Sequence, residues 1–123
     1  MAACGIWRSR NRLVAVVVDD DGWAVPTILE ATDDKERWVL LQYVDAVHGL
    51  DCPLIVTDAL LKTDDSICRF ALERGHALWV APNTLVEAIR LAAGLATAAR
   101  VAATIARMAI VPALRGHLRR IHR

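Results

Sequence analysis

The chain has 123 residues, of which 55% are hydrophobic and 24% charged, and its formal net charge is +1. This length suits one domain with its own core, and this composition excludes an intrinsically disordered chain. The longest apolar stretch, residues 85–114, carries four charged side chains. We therefore expect no membrane span, and we expect no signal peptide because no apolar run follows a basic start.

The first predicted elements are antiparallel strands. Cys4–Trp7 is typical of a strand end, Arg8–Asn11 of a polar turn, and Leu13–Val18 of a valine-rich strand. Asp19–Gly22 predicts a second turn, after which Trp23–Leu29 returns to extended residues. We expect three strands here, or two if the first pair is one strand with an irregular break.

A helix is predicted next. Asp33 and Glu36 have the three-residue spacing of a capping box, and His48-Gly49 marks the C-terminal end. The predicted buried face consists of Trp38, Leu40, Leu41, Val44 and Val47. Pro53–Thr57 then predicts a short buried strand, of the kind that occupies a central parallel position in a sheet.

The second half of the chain predicts two more helices with a strand between them. Thr63 is expected to cap a helix that ends at Gly75, and Ala77–Val80 to form a buried strand. From Asn83 or Thr84, one long alanine-rich helix is expected to continue until Pro112. Its predicted inward residues are Leu91, Leu95, Ala98, Ala102, Ile105 and Ala109. The predicted order is therefore β-β-β-α-β-α-β-α.

The charges are divided along the chain. Residues 1–87 hold all 14 acidic residues, whereas residues 88–123 hold seven arginines and no acid. We expect an α/β domain over residues 1–110, including the long helix, and a basic tail over residues 111–123. Such an asymmetry indicates a partner for the tail.

The cysteines favour a reducing compartment. Cys4, Cys52 and Cys68 are odd in number and widely spaced, which is typical of free thiols rather than a disulfide framework. A zinc site at His48 and Cys52 is disfavoured, because the Gly and Pro beside them break any helix that would align the two ligands. We expect a cytoplasmic protein.

Several short motifs resemble those of a known family. They are Gly5-Ile6, the strand Arg12–Val18, Asp21-Gly22, Ile55–Asp58 and Leu72–Asn83. These motifs are similar to the N-terminal nuclease domain of the DEDD-type insertion-sequence transposases, whose signature begins Gly-Ile-Asp and continues through a hairpin closed by Asp-Gly. The last two match that family's next acidic strand and its leucine-rich helix, Gly-His turn and Val-x-Pro strand end. The resemblance implies a ribonuclease H-like fold with a mixed sheet.

The resemblance also implies a site. Such enzymes cleave phosphodiesters with two Mg²⁺ ions held by several carboxylates. The first acid of the family motif falls on Trp7, which cannot bind a metal, whereas the second falls on Asp58, which can. After Asn83 the sequence contains one acid, Glu87. Asp58 and Glu87 are therefore the candidate catalytic and Mg²⁺-binding residues. The favoured interpretation is structural: Asp58 ends a strand and caps the turn after it, and Glu87 stabilises a first helical turn.

We expect a catalytically incomplete ribonuclease H-like binding or assembly module associated with a mobile element and nucleic acid. The alternative is a metal-dependent nuclease or transposase-type enzyme that uses Asp58 and Glu87. A second alternative is a receiver-like domain in which Asp58 is phosphorylated and Asp19 and Asp20 bind the metal. The strand predicted after Gly22 disfavours it, because a receiver needs a helix there.

Arginines are the candidate contacts for DNA, RNA or a protein partner. They are Arg100, Arg107, Arg115, Arg119, Arg120 and Arg123. Phosphate contact would make the affinity fall steeply with salt. The long helix is expected to have more apolar surface than one small sheet can cover, which predicts a homodimer formed through it.

Overall fold

The computed structural model describes residues 2–19 and 27–121, and in these ranges six strands form one mixed sheet between two layers of helices. The strands are β1 (Ala2–Ser9), β2 (Arg12–Asp19), β3 (Thr27–Ala31), β4 (Leu54–Thr57), β5 (Leu78–Ala81) and β6 (Arg119–Ile121). The helices are α1 (Asp34–His48), α2 (Asp58–Lys62), α3 (Ser66–Glu73), α4 (Asn83–Ala93), α5 (Ala98–Ile110) and α6 (Pro112–Arg115). The order across the sheet is β3-β2-β1-β4-β5-β6, so the chain is α/β.

The first three strands are antiparallel, as predicted. β1 pairs with β2 so that Ser9 lies opposite Arg12, which leaves Arg10 and Asn11 as a two-residue loop. β2 also pairs antiparallel with β3. β1 and β2 are thus separate strands. The second predicted turn extends into residues 20–26, outside the described ranges.

The predicted central parallel strand is confirmed. β4 pairs in parallel with both β1 and β5, and all four of its residues are buried. An apolar strand of this kind needs cover on both faces. Because β1, β4 and β5 are parallel, their carboxyl ends lie at the same edge of the sheet.

Helix α1 confirms the predicted helix and its ends. The Asp33 side chain accepts a hydrogen bond from the backbone N–H of Glu36 at 2.7 Å. The Glu36 carboxylate in turn accepts from the backbone N–H of Thr32 at 2.8 Å and from its hydroxyl. The reciprocal bond therefore reaches one residue further back than in a standard capping box. These bonds hold the pKa of Glu36 below its ordinary value.

The buried face of α1 is narrower than predicted. Its buried residues are Leu40, Leu41 and Val44. Trp38 is 37% exposed and Val47 55% exposed, so their prediction as core residues is wrong. Trp38 instead makes an edge-to-face contact with Phe70 of α3, with ring centroids 5.4 Å apart.

The helix predicted from Thr63 to Gly75 is α3, which begins three residues later, at Ser66, and the short helix α2 before it was not predicted. Thr63 follows the last residue of α2 and does not cap a helix start. Asp64 has a φ of 53°, a left-handed conformation that interrupts the helical path. The cap of α3 is Asp65, whose carboxylate accepts from the backbone N–H of Ile67 at 2.9 Å.

The predicted long alanine-rich helix is two helices, α4 and α5. Gly94 ends α4 in the left-handed region, with a φ of 64°, where glycine lacks the steric penalty of other residues. Thr97 then caps α5 by accepting from the backbone N–H of Arg100 at 3.2 Å. Leu91, predicted to point inward, is 73% exposed. The helical spacing of apolar residues continues across Gly94–Thr97 and so predicted one helix. The helix ends are set instead by the C-cap at Gly94 and the N-cap at Thr97.

Helix α5 packs closely on β1 and β2. Its buried residues are Val101, Ala102, Ala103, Ile105, Ala106, Met108 and Ala109. The helix approaches β1 at Gly5, where a Cβ atom would lie 2.5 Å from the backbone nitrogen of Ala106 and closer still to the carbonyl oxygen of Ala102. The sheet of the same chain thus covers the apolar face of α5, whereas Val86 is the one buried residue of α4, and the homodimer stays a prediction.

The basic segment after residue 110 contributes α6 and the edge strand β6, which pairs antiparallel with β5. No helix among the described residues is long and apolar enough to cross a membrane.

The three cysteines, Cys4, Cys52 and Cys68, are free and buried. Burial raises the pKa of Cys52 to about 11 and that of Cys68 to about 12, so both remain protonated near neutral pH.

Candidate functional site

A cleft of about 320 Å³ lies at the edge where the parallel strands β1 and β4 end. Residues from the β1–β2 hairpin, from β4 and α2, and from the start of α4 line it. They are Trp7, Arg8, Arg10, Thr57, Ala59, Leu60, Thr63, Asn83 and Glu87. Ligands of open α/β sheets bind at the carboxyl ends of the strands, so this cleft is the candidate site.

Asp58, the first predicted catalytic residue, joins two helices. It is the first residue of α2, and its Oδ1 accepts a hydrogen bond from the backbone N–H of Asn83 at 2.9 Å. Asn83 begins α4, and no side chain of the neighbouring Pro82 can cap that helix. Asp58 therefore supplies the missing acceptor from a different element, where a carboxylate also interacts favourably with the helix dipole.

Glu87, the second predicted catalytic residue, lines the cleft but is held in an ion pair. Its Oε2 lies 2.7 Å and 2.9 Å from two guanidinium nitrogens of Arg90, one helical turn further along α4. Asp58 is absent from the lining of the cleft. The structure therefore gives each of the two acids its own partner.

The residues around the cleft do not fit the Mg²⁺ ions that the resemblance implies. Two-metal sites require several carboxylates that converge on a common point. Trp7 of β1, on which the first acid of the resembled motif falls, packs against the hydrophobic cluster beneath α5 and lines the cleft. In the parts of the chain described, no group of three or more His, Cys, Asp or Glu residues could hold a metal ion.

Two arginines at the hairpin give the cleft a cationic rim. Arg8 and Arg10 are exposed, and the Arg8 Nε donates to the Arg10 carbonyl oxygen at 3.2 Å. Neither makes an ion pair within residues 2–19 and 27–121. The sequence pattern predicts both as part of the polar turn Arg8–Asn11. The signal that could have revealed them is the Trp-Arg-x-Arg sequence at the end of a strand.

The arginines predicted to bind a partner are distributed over three elements. Arg100 and Arg107 of α5 line a groove of about 380 Å³ beside Val16 and Ile28. The Arg115 guanidinium donates to the carbonyl oxygens of Ala109 at 3.0 Å and Ile110 at 3.4 Å, and so closes the C-terminal end of α5.

The remaining predicted arginines belong to β6 or lie beyond it. Arg119 and Arg120 are exposed on β6, and the Arg120 guanidinium carbon lies 5.9 Å from the Trp79 ring centroid. Arg123 lies outside the described residues. Of the six arginines predicted to bind a partner, Arg115 has a structural role, because its guanidinium binds the carbonyl oxygens at the end of α5.

The acids of the receiver-like alternative lie apart. β2 is antiparallel to β1, so Asp19 at its end pairs with Ala2 at the start of β1. Asp58 follows β4, which is parallel to β1. Asp19 and Asp58 therefore lie at opposite edges of the sheet. Asp20 lies outside the described ranges.

A second polar cluster lies on the opposite side of the sheet from α5. The Asp45 carboxylate of α1 accepts from the Nε of Arg74 at 2.6 Å and contacts the Nε2 of His76. The His76 side chain is fully buried, and burial lowers its pKa despite the attraction of Asp45. This cluster connects α1 to the segment between α3 and β5, which is a structural role.

Comparisons of the sequence with known proteins identify no relative: no protein-family model matches the chain, and no curated protein matches it.

Proposed function

We propose that this chain is a catalytically incomplete ribonuclease H-like module that binds nucleic acid without a metal centre. The opening antiparallel hairpin, the two following parallel strands and the helices on both faces support the fold assignment. The motifs from Gly5 to Asn83 support a link to mobile elements. Three free, buried cysteines support a cytoplasmic location.

One observation carries the proposal. The cleft at the carboxyl ends of β1 and β4 has Trp7 where the family has an acid, and it has Arg8 and Arg10 at its rim. Its one acidic lining residue, Glu87, is neutralised by Arg90. A surface of this composition attracts phosphates, whereas a two-metal site needs the opposite charge.

Binding and cleavage assays test this function together. We expect a labelled oligonucleotide to bind at low salt, with an affinity that falls linearly with salt on a double-logarithmic plot. We expect no cleavage of DNA or RNA with Mg²⁺ or Mn²⁺. Metal-dependent cleavage that Asp58→Asn and Glu87→Gln both abolish would overturn the proposal in favour of the nuclease alternative. The absence of binding at low salt would also overturn it.

A further inference from the structure

We propose that the cleft binds single-stranded nucleic acid, with one base stacked on the indole of Trp7 and adjacent phosphates held by Arg8 and Arg10. This inference rests on the proposed function and specifies the form of nucleic acid. A base in a duplex is already stacked on its neighbours and cannot stack on the Trp7 indole unless it leaves the double helix. A single strand offers its bases freely.

Trp7 is suited to hold a base. It belongs to an eight-residue strand, lies opposite Val14 of β2, and packs against the hydrophobic cluster beneath α5. This packing limits the movement of the ring, and Trp7, which is half-buried, is also one of the residues that line the cleft. An immobilised aromatic ring loses little conformational entropy when a base stacks on it.

Arg8 and Arg10 are suited to hold phosphates. The bond from the Arg8 Nε to the Arg10 carbonyl oxygen leaves both terminal nitrogens of Arg8 free of acidic partners among the described residues. Arg10 has a φ of 60°, a left-handed conformation that favours glycine. An arginine at this position therefore carries a backbone cost that a purely structural turn would avoid.

The remaining walls suit a nucleotide. The cleft volume of about 320 Å³ is at the lower end of the usual range for small-ligand sites, about 300–1,000 Å³. Thr57 and Thr63 already hydrogen-bond to the backbone of α2. Asn83 also lines the cleft, and an asparagine amide has both donors and an acceptor for a base edge.

The experiment compares twelve-nucleotide oligothymidylate with a duplex of the same length by fluorescence anisotropy. We expect the wild-type chain to prefer the single strand by about tenfold, since stacking on one aromatic ring contributes at that level. Trp7→Leu should remove most of the preference, whereas Trp7→Phe should retain it, because phenylalanine keeps an aromatic face. Arg8→Gln should reduce the salt slope by about 0.7, the value for one phosphate contact on a single strand.

Two variants separate binding from folding. Arg10→Gly should raise the melting temperature, because it relieves the left-handed conformation, and should lower the affinity for the single strand. Arg69→Gln removes one exposed positive charge from α3, at a residue that does not line the cleft, and should leave the affinity nearly unchanged.

The outcomes distinguish the two proposals. Equal affinity for both oligonucleotides, with no effect of Trp7→Leu or Arg10→Gly, would overturn the single-strand proposal and leave nucleic-acid binding in place. No binding of either oligonucleotide at low salt would overturn both. Loss of binding in Arg69→Gln equal to that in Arg8→Gln would show a general charge effect and would also overturn the role of the cleft.

Discussion

Gly5→Ala tests the close packing of helix α5 on strand β1. The new Cβ would lie 2.5 Å from the backbone nitrogen of Ala106, and contacts below 3.0 Å are essentially never seen for real Cβ atoms. The helix must therefore move by at least half an ångström. The obstructing atoms belong to the backbone, so no change of side-chain rotamer relieves the contact.

The size of the effect follows from this geometry. Adding a methylene to a well-packed core costs about 1–3 kcal/mol, and a displaced helix with seven buried residues puts Gly5→Ala at the upper end. A loss of about 3 kcal/mol corresponds to about 12 °C in the melting temperature of a domain of this size. Urea denaturation followed by circular dichroism measures it.

Gly116→Ala is the matched control. Gly116 has a φ of −63° and open space around the position of a Cβ. The substitution should change the free energy of unfolding by less than about 1 kcal/mol, through the unfolded state. If Gly5→Ala is as stable as Gly116→Ala, α5 does not lie on β1 as described.

Three further predictions concern buried and capping groups. Burial lowers the pKa of His76 in the folded chain, so as the pH falls near the ordinary value of 6.5 the unfolded chain binds a proton more readily than the folded chain does. The free energy of unfolding should therefore decrease as the pH falls through this range, and it should decrease less in His76→Gln. Denaturation at pH 7.5 and at pH 5.5 measures the difference. Arg37→Ala should cost about 3 kcal/mol, because it leaves the buried Asp65 carboxylate without its ion-pair partner; Arg12→Ala, at the exposed pair with Glu30, should cost less than about 1 kcal/mol. Asp58→Ala should cost about 1 kcal/mol as a lost helix cap, and Mg²⁺ should not raise the melting temperature of the wild-type chain.

Much of the fold could be predicted because its signals are local. The capping residues of α1 and the apolar run of β4 each determine an element directly. The break at Gly94 was missed because alanine and leucine continue at helical spacing on both sides of it. Strand β6 could not be predicted, since three residues that include two arginines pair only where β5 offers an open edge.

The catalytic site stays a prediction. The motif comparison selected Asp58, the one acid after Asn83 added Glu87, and Trp7 was placed where the motif has an acid; of these residues, Trp7 and Glu87 line one cleft. Arg8 at the end of β1 and Arg10 in the following loop were missed because their neighbours across the cleft are distant in sequence. Two of those neighbours are Thr63 and Asn83. The parallel arrangement of β1 and β4 creates that proximity, and no local pattern encodes it.

The most direct test of the central claim is the affinity of wild-type chain and of the double variant Arg8→Gln/Arg10→Gln for a labelled oligothymidylate, measured in EDTA and in Mg²⁺. We predict that the wild type binds at least as well in EDTA as in Mg²⁺ and that the double variant binds more weakly in both, because arginines and not a metal hold the phosphates. Binding that requires Mg²⁺, or an affinity that the double variant retains in full, would contradict the account.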